Sequence, residues 1–147
     1  MGRTRKDPRH RARESALQIL YQWEIGGRAI EKSADTFFTR QWPDEEEPPE
    51  ALRAFATRLA VDTVDRLAEI DPLIAGTAKR WRPERMAVLD RLILRMAICE
   101  MLRGSDTPPA VVINEALELA RTFTTEESVK FINGMLDAVR KKIDALL

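Results

Sequence analysis

Most of what metal, redox and nucleophilic chemistry draws on is scarce in this sequence. One cysteine, Cys99, and one histidine, His10, occur in 147 residues. A single thiol cannot close an internal disulfide, and one Cys with one His cannot make a Cys/His zinc site. Cys99 lies in the apolar run 92–101, where a thiol behaves as a small buried hydrophobe, and His10 lies far away in a basic segment. Six glycines form no phosphate loop and no dinucleotide fingerprint, and there is no Ser or Cys nucleophile elbow. No apolar run approaches the length of a membrane span. The N-terminus, MGRTRKDPRHRARES, is basic but lacks the apolar stretch of a signal peptide. Strand alternation and solenoid-length repeats are also missing. These absences argue against an enzyme, a metal or cofactor protein and a membrane protein. The expectation is a cytoplasmic, non-catalytic protein with no metal and no cofactor.

What is present is helical material. Hydrophobic residues make up 44% and charged residues 33%, a globular composition of single-domain length. Apolar residues recur at helical spacing in seven stretches. Helix one covers about 8–25, with Asp7 as cap, Pro8 in the first turn and Gly26-Gly27 at the end. Helix two covers about 30–40 and helix three about 49–69. Asp71-Pro72 is expected to open helix four, which runs to about 81. Helix five covers about 84–103, and its broad apolar stripe marks it as the central, most buried element. Helix six covers about 109–123. Thr124 and Glu127 have the spacing of a capping box and are expected to start helix seven. Gly134 inside that helix points to close approach by another helix. The expected fold is all-α: one domain over 1–147, with an N-terminal helical subdomain packed on a C-terminal helical bundle around helix five.

Charge is balanced overall, with 24 basic and 24 acidic residues, but it is segregated. Residues 1–13 form a basic arm with Arg3, Arg5, Lys6, Arg9, Arg11 and Arg13 against Asp7. Residues 43–50 form an acidic, proline-rich loop carrying Asp44, Glu45, Glu46, Glu47 and Glu50. Arginine grips phosphate with a planar fork and stacks on unpaired bases, so the arm suits a flexible polyanion. By charge alone, a solvated tail and a nucleic-acid arm are evenly matched. On helix seven, Phe131 lies about 100° from the core residue Ile132, beside Lys130. Taken alone, that position suits a ring packed against helix one better than a stacking platform for a base. The acids of the loop sit in solvent, with nothing apolar to raise a pKa for catalysis.

Three segments carry a resemblance. RARESALQILYQWE, VLDRLILRMAICEML and INEALELARTFTTEESVKFINGMLDAV resemble, in order, the opening helix, central helix and C-terminal signature of the NusB family of bacterial transcription antitermination factors. The likeness runs over almost the whole chain, weakest over 26–66. It implies an all-α fold of seven helices. It also implies binding of single-stranded boxA RNA, with the small-subunit ribosomal protein NusE as partner, inside the antitermination complex of RNA polymerase, notably on ribosomal RNA operons. The RNA contacts it implies are Arg9, His10, Arg11, Arg13, Lys130 and Phe131, with Glu127 close by. Where the family usually has glycine after the last Phe of helix six, this chain has Thr124. Partner binding is expected on an outward side of helix five that includes Asp90 and Arg95. The rival reading is an RNA-recognition module related to the N-terminal domain of ribosomal RNA cytosine methyltransferases. These 147 residues contain no cofactor-binding sheet or catalytic cysteine region for such an enzyme. Monomer and homodimer both stay open.

Overall fold

Helices supply all the regular structure among the described residues, which in this computed structural model are 8–77, 82–104 and 106–146. Seven are α-helices: α1 (Pro8–Gly26), α2 (Ile30–Thr36), α3 (Glu50–Asp65), α4 (Leu67–Thr77), α5 (Val88–Arg103), α6 (Pro109–Phe123) and α7 (Glu126–Leu146). None is long and apolar enough to cross a membrane. The chain divides into two compact units, residues 1–64 and 65–147. The expected Asp7 cap, the cations Arg3, Arg5 and Lys6, and the expected end of helix four at Trp81 lie outside the described residues.

In the first unit, Ala12, Ala16, Ile19 and Leu20 form the inner stripe of α1 and are fully buried. Gly27 ends the helix with φ 71°, a left-handed conformation that costs glycine nothing. Its N–H donates to the Trp23 carbonyl at 3.1 Å. α2 is shorter than the spacing predicts, because residues Phe37–Gln41 form a π-helical turn. Phe37 and Phe38 are both buried although adjacent, and their rings meet edge to face at 5.0 Å. The wider turn lets both rings face the interior, and Trp42 continues the cluster 5.7 Å from Phe38. The acidic segment that follows is a loop, as its prolines require. The Trp42 indole N–H donates to the Glu46 carbonyl at 3.0 Å and folds the loop on itself.

In the second unit, α5 packs against α4, α6 and α7. Every residue from Asp90 to Glu100 is buried, which bears out α5 as the central helix. Its N-terminus is later than predicted, because Pro83–Arg85 form a 3₁₀ turn before the helix opens at Val88. The buried Arg91 explains the turn: its guanidinium donates to the Pro83 carbonyl at 2.9 Å and to the Met86 carbonyl at 3.4 Å.

Two further helix starts differ from expectation. α4 begins at Leu67, not at Asp71-Pro72, and Pro72 lies inside it. The break falls at Arg66, whose carbonyl accepts from the N–H groups of both Glu69 and Ile70 at 2.9 Å. Asp71 is no cap, because its carboxylate is held by Arg95. At the start of α7 the capping hydroxyl is that of Thr125, which accepts from the Ser128 N–H at 3.1 Å. The Thr124 hydroxyl instead donates back to the Ala120 carbonyl at 2.6 Å and closes α6. Nor is Gly134 a close-approach site: a Cβ there would meet nothing within 4 Å.

Candidate nucleic-acid interface

The first cluster is the opening turn of α1. Arg9 and Arg13, four residues apart and so on one helix face, both set their guanidinium groups over the Phe55 ring of α3, at 4.7 and 5.3 Å from its centroid. Arg9 is exposed, whereas Arg13 is only 4% exposed. Arg11 points the other way. Its guanidinium lies 4.9 Å from the centroid of a Trp42 ring and donates to Asp44 Oδ2 at 2.6 Å. His10 Nε2 stands 3.4 Å from Glu14 Oε2, one turn along. The three arginines therefore diverge around the helix, each beside an aromatic ring. Flat cation–aromatic contacts hold a guanidinium in place while leaving its edge N–H groups able to donate.

The second cluster belongs to the other unit. Phe131, half-buried on α7, lines a pocket of about 340 Å³ with Met86, Ala87, Asp90, Glu127 and Ser128. The Ser128 hydroxyl donates to Asp90 Oδ2 at 2.9 Å, tying α7 to α5 across the pocket floor. Glu127 and Lys130 are exposed. The result is an apolar ring at the edge of a recess, with a carboxylate and an ammonium on the same helical turn. Among the described residues no group of His, Cys, Asp and Glu could hold a metal ion.

Comparison with known proteins decides the family. The NusB family model matches residues 10–141. The transcription antitermination protein NusB of Solibacter usitatus is 47% identical over 135 residues, 92% of this chain and 90% of that one. The chain belongs to the NusB family. The solved structure of T. maritima NusB superposes with a TM-score of 0.82 at 32% identity, covering 94% of each chain. A structure of the antitermination factors NusB and NusE in complex with double-stranded RNA shares the fold, with a TM-score of 0.79 at 24% identity over 92% of this chain and 97% of that one.

Within this NusB chain the expected RNA contacts fall in two places: Arg9, His10, Arg11 and Arg13 in the first unit, Glu127, Lys130 and Phe131 in the second. Arg13 is buried against Phe55 and supports the turn. Asp90 and Arg95 depart from expectation. Both are only 9% exposed, not outward-facing. Asp90 is engaged by Ser128, and Arg95 makes a two-pronged bond to Asp71, Nε to Oδ1 at 2.9 Å and Nη2 to Oδ2 at 2.8 Å. Charges on a buried helix are retained only when paired, and these are. Sequence reasoning missed Trp42, Phe55 and Asp44. The signal for Asp44 was present in the facing signs of arm and loop; nothing in spacing alone pairs Phe55 with Arg9.

Proposed function

We propose that this NusB protein binds single-stranded boxA leader RNA in the cytoplasm and holds it, with the ribosomal protein NusE, in the antitermination complex of RNA polymerase. Arg9, His10 and Arg11 take the phosphates and Phe131 takes a base, with Lys130 adding charge and Glu127 a hydrogen-bond acceptor. The observation that carries the reading is the set of arginines seated on aromatic faces at the opening turn of α1. An arginine already immobilised on a ring loses less side-chain freedom when it grips a phosphate. Family membership supports the same reading, as does the NusB–NusE–RNA assembly of a protein with this fold. Asp90 serves as part of the Phe131 recess.

The test is titration of labelled boxA RNA over a range of salt. Neutralising Arg9 and Arg11 together should weaken binding to any single strand and lower the log–log salt slope by about 1.4, since each phosphate contact to a single strand contributes about 0.7. Arg13 is left in place so that folding is not disturbed. Unchanged affinity and slope in the double variant would overturn the assignment.

A further inference from the structure

The function proposed above leaves the acidic loop without a role. Yet the loop reaches the RNA-binding turn. Arg11, the cation on the far side of α1 from Phe55, is bonded to Asp44 and lies over the Trp42 ring, two residues of the same short segment. Both partners are partly open to solvent, with side chains 34% and 49% exposed. The geometry is that of a phosphate contact: a carboxylate oxygen accepts from the guanidinium edge while an aromatic face lies beneath it, as a nucleotide would offer phosphate and base. Behind Asp44 stand Glu45, Glu46 and Glu47, all exposed. The indole bond to the Glu46 carbonyl holds Trp42 and the acids in one folded loop.

We infer that Asp44 acts as an internal stand-in for phosphate: the loop occupies Arg11 in the free protein and must be displaced by RNA. This rests on the RNA-binding reading. An exposed ion pair is weak, so displacement costs little. The cost falls on any strand that takes Arg11, whatever its sequence, so the loop lowers the affinity of the turn for polyanions in general.

The experiment compares the full-length wild-type protein with D44N, E47Q and R11A, and with D44N combined with R11A, by anisotropy titration of boxA RNA and of an oligouridine strand. D44N should tighten binding of both strands by a similar factor, about two- to fivefold, the affinity equivalent of one exposed ion pair. E47Q removes the same charge from the loop without touching Arg11 and should change binding less than D44N. In the R11A background D44N should have no effect, because the carboxylate acts through that side chain. Equal tightening by D44N and E47Q would reduce the effect to the general field of the loop and overturn the inference. So would weaker binding by D44N, which would mean that Asp44 only orients Arg11. Failure of the wild-type protein to bind either strand would instead overturn the RNA-binding reading, and this inference with it.

Discussion

Phe131 and Arg13 are the two side chains whose placement most changes what a substitution should do. Phe131 is half-buried at the rim of a recess, so truncation removes a stacking surface more than a piece of core. Phe131→Ala should cost about 1–3 kcal/mol of boxA affinity, with a smaller loss for unrelated strands. Its stability should fall by less than the roughly 3–5 kcal/mol of a fully buried Phe. Melting and RNA titration on the same preparation check both; a large stability loss with unchanged discrimination would reject the stacking role. Arg13 is the opposite case. Its stem and guanidinium are packed on Phe55, so Arg13→Ala should cost about 2 kcal/mol in urea denaturation. Arg13→Met, which keeps the stem volume, should recover part of that. Equal losses from both would place the stabilisation in the charge and not in the packing.

At the level of the elements, Gly134 supplies a clean test. It lies mid-helix in α7 with open space where a Cβ would go. Gly134→Ala should therefore stabilise the protein by about 0.5–1 kcal/mol, by relieving the entropic cost of glycine in a helix. A rise of melting temperature checks it; a fall would mean that the helix is more closely covered than this geometry allows. Thr125→Ala should cost about 1 kcal/mol through loss of the cap of α7, and Thr124→Ala should leave that cap intact. These two threonines show how much was legible in advance. The inner stripes of α1, α5, α6 and α7 were readable, because burial enforces the 3.6-residue period over several turns. The starts of α4 and α7 were not, because local capping signals are ambiguous between neighbours and can be overruled at a distance. Asp71 looks like a cap beside a proline, but Arg95, 24 positions away, takes its carboxylate. The arm is a similar case: its charge was plain, but the rings beneath Arg9 and Arg11 come from α3 and the loop, and no local pattern announces such pairs. Pro72 is tolerated one turn into α4 because Ile70 and Ile74, both fully buried, anchor the helix on either side.

For the molecule as a whole, net charge of zero means that no overall field draws RNA in; attraction is local to segments rich in cations, such as the opening turn of α1. The proposed joint hold on RNA and NusE is subject to linkage. If the partner raises RNA affinity by some factor, RNA must raise partner affinity by the same factor. Titrating each in the presence of the other measures that coupling, and factors of one in both directions would show that the two bind independently. The interior carries a consequence of its own. Cys99 is the protein's lone sulfhydryl and is wholly enclosed in α5, whose neighbours Asp90 to Glu100 are all shielded from water. A thiol reagent can reach it only when that enclosure parts. The rate at which the native protein is alkylated is therefore a clock for the opening of its most protected helix, readable without any engineered label. Ligands that grip the folded state should slow that clock in proportion to how tightly they bind.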